Sequence, residues 1–163
     1  MIAGVTPNDR ERARDWLALL LGEEPPDGTA AAGRVVLPVL SGSMHPDLPV
    51  GSTVAIRPGP WTATRDGDLI VFRRGETLVV HRRLFGLSVG PWSALYQKGN
   101  AVRYGGWIDP KLVVGRAVGV RLPNGEEVDL TTPAAHRRGL RNARRGLAAD
   151  LIARFKRLLG RES

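Results

Sequence analysis

A mainly β fold, a compact antiparallel domain flanked by an N-terminal and a C-terminal helix, follows from three features of this 163-residue chain. Between residues 34 and 130 the apolar runs are short, and Gly and Pro separate them. No helical pattern lies between those runs, so the crossover helices of a parallel sheet are missing. Helical patterns occur at the two ends instead. The 20 Gly and 12 Pro also favour many turns and short strands. The length suits one domain with a real core and is short for two.

Residues 1–33 read as a helix and a linker. Pro7-Asn8-Asp9 opens the helical pattern, Trp16, Leu17, Leu19, Leu20 and Leu21 lie toward its end, and Gly22 is a plausible C-cap. The turn-rich stretch from Glu23 to Gly33 is the linker. Residues 34–132 form the β-domain, with strands expected at 35–40, 53–57, 68–72, 77–85 and 112–122. A last strand at 127–130 follows the hairpin signal Pro123-Asn124-Gly125. Residues 133–163 are a basic amphipathic segment with a helix over about 134–159. Leu140, Leu147, Leu151, Phe155, Leu158 and Leu159 recur there at helical spacing with arginines between them.

The charge excludes as much as it suggests. The chain carries 24 Lys and Arg against 16 Asp and Glu, a formal net charge of +8. From His136 onward there are nine basic residues and two acidic ones, so the body is nearly neutral and no nucleic-acid partner is expected. Cysteine is absent, which removes disulfides, thiol catalysis and zinc sites of the Cys type. Three scattered histidines make no ligand set, so neither a metal nor an organic cofactor is expected. The longest apolar runs, 16–21 and 35–40, fall far short of the ~20 residues of a membrane span. No basic leader precedes an apolar run at the N-terminus, so no signal peptide is expected. The expected location is cytoplasmic or peripheral to an anionic membrane, which the C-terminal helix would touch.

The segment that carries chemistry is Ser41-Gly42-Ser43-Met44-His45-Pro46-Asp47-Leu48-Pro49-Val50-Gly51. A Gly-Ser-Met run after an apolar strand, followed by Pro and a second Gly, makes a tight turn that exposes one hydroxyl. A serine hydroxyl stays protonated near neutral pH and needs a base within hydrogen-bond reach. Strand alternation puts Val79, His81 and Arg83 on one face and Leu78 and Val80 on the other, so an imidazole facing a pocket is reasonable.

The Ser-Gly-Ser-Met-x-Pro segment resembles the nucleophile box of type I signal peptidases. Three later stretches are similar to that family in the same order. They are Gly67-Asp68-Leu69-Ile70-Val71-Phe72, then Val79-Val80-His81-Arg82-Arg83-Leu84, then a closing segment of Lys98-Gly99-Asn100, Asp109-Pro110 and Val114-Gly115-Arg116-Ala117. The four span residues 35–120, roughly half the chain. One branch of the family uses lysine as base; the archaeal, endoplasmic-reticulum and sporulation-type branch uses histidine. This chain has His81 there, no lysine lies between Ser43 and Lys98, and Arg82 and Arg83 do not deprotonate.

The resemblance implies a signal-peptidase-like β-domain that cleaves a signal or leader peptide after small residues at the −1 and −3 positions. Ser43 would be the nucleophile and His81 the general base, with the Ser43 N–H and the Ser41 hydroxyl as the oxyanion hole. Asp109 would orient His81 as the third member, and Met44 and Leu48 would line the substrate groove or the core. Relatives read Lys-Gly-Asp-Asn where this chain has Lys98-Gly99-Asn100, so one acid is missing. A Ser–His dyad is the alternative to a triad, with Asp66 and Asp68 as other orienters. Ser41 reads equally as a hydrogen bond inside the turn, and Asp109 as a cap before Pro110. His45 and His136 read as solvated bystanders.

Two other activities stand beside this one. A catalytically inactive module of the same fold would hold an extended peptide along a sheet edge. A self-cleaving repressor-type peptidase is disfavoured, because about thirty residues precede the β-region and the base position is not lysine.

Overall fold

The computed structural model describes residues 34–160. The expected N-terminal helix and linker, 1–33, lie outside the described residues. Eight strands form one curled antiparallel sheet: β1 (Val35–Pro38), β2 (Thr53–Pro58), β3 (Leu69–Arg74), β4 (Thr77–Val89), β5 (Trp92–Lys98), β6 (Gly106–Ile108), β7 (Val113–Arg121) and β8 (Glu127–Asp129). Their order is β1-β2-β7-β3-β4-β5-β6, with β8 paired to β7. One helix, α1 (Pro133–Leu158), follows.

The strand sequences explain their places. Leu69, Ile70, Val71 and Phe72 are buried on both faces of β3, which lies between β7 and β4. A continuous apolar run suits a strand covered on both sides. Leu69 and Val71 join the larger core with Val35, Leu37, Val54, Ile56, Ala117 and Val120. Ile70 and Phe72 face the other way, against Leu95 and Val113. Val79 packs with this second group and Leu78 and Val80 with the first, as alternation predicts.

Two strands were not anticipated. β5 follows the Gly90-Pro91 turn and pairs with β4 from Val89↔Trp92 to Arg82↔Lys98. β6 is a three-residue strand paired to β5.

The helix starts one residue before the expected position. The Thr132 hydroxyl accepts the Ala135 N–H, and Pro133 occupies the first turn, where a missing N–H costs nothing. Its packing face differs from the expected leucine stripe. Gly139, Ala143 and Asp150 are its buried residues, with Leu147 partly buried against Leu84 and Tyr96. The contact is close because both surfaces present glycine. A Cβ at Gly139 would lie 2.5 Å from the Gly67 carbonyl, and one at Gly67 would lie 2.6 Å from the Leu140 nitrogen. Gly67 also has a φ of +91, a conformation that side chains disfavour. Among the described residues, no helix is long and apolar enough to cross a membrane.

Candidate functional site

Ser43 sits in a single 3-10 turn, Gly42–Met44, entered through Ser41 in extended conformation. Met44 anchors that turn. Its side chain is 2% exposed, and Leu48, at 1%, joins it in the larger core. Of the two places expected for these residues, groove or core, their packing is that of the core, and the neighbouring Ser43 is half-buried.

His81 arrives from β4. Its direct partner on β3 is Ile70, and its ring meets the edge of the buried Phe72 ring, with centroids 5.9 Å apart. The imidazole Nε2 lies 3.3 Å from Ser43 Oγ. The loop and the strand thus bring together two residues 38 positions apart. The other ring nitrogen, Nδ1, is 2.5 Å from Gln97 Oε1. An amide oxygen only accepts, so Nδ1 carries the proton and Nε2 presents its lone pair to the serine. Burial pulls the His81 pKa below its usual value, the Gln97 hydrogen bond opposes this, and the charge of Arg74 adds to the lowering. The neutral, proton-accepting form is therefore favoured near neutral pH.

Gln97 is the orienting residue that sequence reasoning missed. The β4–β5 register pairs Arg83 with Gln97 and Arg82 with Lys98. Extended by one step, it puts Gly99 opposite His81 and Gln97 on the diagonal, within reach of a long side chain. A neutral amide carries no acidic signature, and the strand that bears it was itself not anticipated.

Asp109 does not take that place. Its carboxylate accepts the Lys111 N–H at 2.9 Å and caps the short 3-10 helix Pro110–Leu112. The local cap prevails because an Asp before Pro finds an N–H two residues on without any long-range approach. Asp66 is engaged by Arg83 Nε at 2.8 Å. Asp68 lies 3.6 Å from Arg116 and accepts the Arg65 N–H. His136 is not a solvated bystander: its Nδ1 is 3.5 Å from Asp68. His45 is exposed.

Ser41 Oγ lies 3.4 Å from Ser43 Oγ and makes no cap hydrogen bond, so the two hydroxyls are on the same side of the turn. The Ser43 N–H falls in the first turn of its 3-10 helix, where N–H groups have no partner within the helix. Both can face a developing oxyanion.

The Lys98-Gly99-Asn100 turn closes over the pair. The Ala101 N–H donates to the Ser43 carbonyl at 2.9 Å. A Cβ at Gly99 would stand 2.6 Å from the Ser43 oxygen and 2.9 Å from His81 Nε2. On the other side, Asp47 accepts from Arg82 Nη2 and, at 3.2 Å, from the Asn142 amide of α1. The nucleophile loop is thereby fastened to a strand and to the helix. The arrangement brings a serine hydroxyl, a neutral imidazole and an amide that orients it within reach of one another, a geometry in which the imidazole can accept the hydroxyl proton. No family model and no curated protein matches the chain.

Proposed function

We propose that the chain is a serine endopeptidase of the type I signal peptidase kind, acting on a signal or leader peptide through a Ser–His mechanism. The observation that carries this reading is Ser43 Oγ at 3.3 Å from His81 Nε2, with Nδ1 occupied by Gln97. The four sequence boxes support it, since the resemblance assigned those two roles to residues that lie 38 positions apart.

In this mechanism Ser43 Oγ attacks the scissile carbonyl while His81 Nε2 takes the hydroxyl proton. The oxyanion forms against the Ser43 N–H and the Ser41 hydroxyl, where loss of one donor costs about 10²–10³ in rate. The C–N bond breaks as His81 returns the proton to the leaving amine. Water, deprotonated by the same imidazole, then releases the acyl group from Ser43. Gln97 holds the tautomer and supplies no negative charge to the imidazolium, so the site is a dyad with an amide orienter.

The tail helix has a second role in this reading, peripheral contact with an anionic membrane. Leu151, Ile152 and Phe155 are exposed beside Lys156 and Arg157. An apolar face flanked by cations is the pattern of an interfacial helix.

The test is covalent labelling with a serine-directed fluorophosphonate, followed by a panel of leader peptides read by mass spectrometry. Labelling of the wild type and not of Ser43→Ala, with cuts after small residues, is expected. No labelling of either protein would leave a peptide-holding module of the same fold.

A further inference from the structure

Arg82 and Lys98 stand directly opposite each other on β4 and β5. Both are more than nine-tenths buried, at 6% and 7% exposure. Like charges directly opposite on paired strands repel. Two carboxylates act on Arg82: Asp47, which is already engaged by Arg82 Nη2 and the Asn142 amide, and Asp68, which acts through its charge and lies outside the cavity lining. Arg82 Nη1 is spent on the Gly67 carbonyl at 2.7 Å, and its Nε is buried with no acceptor. The Lys98 side chain has no hydrogen bond or ion pair among the described residues, and its ammonium is open to the cavity and not sealed from solvent as Arg82 Nε is.

These two side chains line a cavity of about 370 Å³ between the β4–β5 pair, the Pro46-Asp47 turn and α1. Arg145 of the helix adds a third cation, so three positive groups face one committed carboxylate. We infer that this cavity is a binding site for an oxyanion, a carboxylate or a phosphate, held by Lys98 and Arg82 with Arg145 as the outer contact. A charge-assisted acceptor there would engage the Lys98 ammonium that has no partner and offset the cross-strand repulsion.

The cavity adjoins the catalytic pair without being part of it. Lys98 and Arg82 project from the face opposite His81, and Gly99 belongs to both places, lining the cavity and lying against His81 Nε2. The bound oxyanion therefore comes from one of two sources, an acidic side chain of the peptide held at Ser43 or a free ion in solution. The first rests on the peptidase reading, and the second is independent of it.

The experiment is a ¹⁵N NMR titration of the full chain with inorganic phosphate, following the Gly99, Asn100 and Gly146 amides. Saturable shifts are expected, reduced at least about tenfold in apparent affinity by Lys98→Met. Lys98→Arg should retain them, and Lys111→Met should leave them unchanged. Arg145→Ala, at an exposed position, weakens the same response and serves if Lys98→Met does not fold. Ser43→Ala is then titrated with two peptides that differ only by Glu or Gln near the scissile bond. Preference for the Glu peptide identifies the substrate as the source; equal binding with a phosphate response identifies a free ion. No saturable shift with phosphate or with the Glu peptide, in protein that melts normally, overturns the site. Fluorophosphonate labelling of Ser43 in the same sample reports separately on the hydrolase.

Discussion

Glycine at position 99 is fixed by what surrounds it and not by its backbone, for a side chain there would run into the Ser43 carbonyl, His81 Nε2 and Val102. Gly99→Ala is expected to push the imidazole and the serine apart and lower kcat/KM by about 10²-fold, the usual cost of a misplacement near 1 Å. Steady-state kinetics on protein shown to be folded by circular dichroism checks this. His81 sets the pH response. Its pKa is lowered from 6.5, so the acid limb of kcat/KM should fall below pH 6.5. Gln97→Glu puts a carboxylate on Nδ1, stabilises the imidazolium and should move that limb to higher pH. Parallel pH–rate profiles of the two proteins decide it, and a limb that moves down would contradict the assigned contact. His81→Ala and Ser43→Ala should each remove turnover to a similar extent, because base and nucleophile act as a unit. Ser43 and His81 were legible through the four boxes taken in order, since a turn serine or a strand histidine alone more often serves only the fold, and the two side chains lie 3.3 Å apart. Gln97 was not, since nothing in a glutamine announces which ring nitrogen it will meet.

Strands announced themselves where an apolar run met a clear turn, as in β3, buried on both faces, and β4. β5 escaped because Trp92-Ser93-Ala94-Leu95-Tyr96-Gln97-Lys98 mixes polar and apolar side chains and follows directly on a long partner. With that strand Gln97 also escaped notice, and the Asp109-Pro110 of the resemblance stood as the orienter in its place. The tail was legible as a helix, but its buried face was not. Leucines were expected to pack, whereas Gly139 and Ala143 do, because the approach to Gly67 leaves no room for larger groups. Asp150 then secures the far end of the contact. It accepts Tyr96 OH at 2.5 Å, the Gly105 N–H at 2.7 Å and Arg154 Nε at 2.9 Å. Burial raises its pKa, and the bonds from Tyr96, Arg154 and Gly105 outweigh that, so the carboxyl lies below its usual range. A depressed folded-state pKa means stability present above pH 3.8 and lost as pH falls below it. Asp150→Asn should cost about 3 kcal/mol in urea unfolding at pH 7, with a smaller loss of stability on acidification than wild type.

The protein divides its charge from its chemistry. The site lies in a nearly neutral β-body, while nine of the 24 basic residues follow His136. Beyond Arg154, which still donates to Tyr96 OH and the Gly105 carbonyl, the helix leaves the sheet and exposes Phe155 at 62% and Leu158 at 84%. Vesicles containing phosphatidylserine should carry the protein upward in a flotation gradient, and Leu151→Ser with Phe155→Ser and Leu158→Ser should leave most of it behind. These positions make no core contact, so the triple variant keeps its fold, and equal flotation of both proteins would remove the membrane role. The bond from Asn142 to Asp47 gives the helix a mechanical meaning as well. With 26 residues at 1.5 Å each, it is a rod of about 39 Å, fastened beside the serine loop at Asn142 and to the sheet as far as Arg154, with only its last turn projecting. On the peptidase reading, whatever grips that last turn also sets the angle at which an extended chain reaches Ser43, since the same helix holds the serine loop through Asn142.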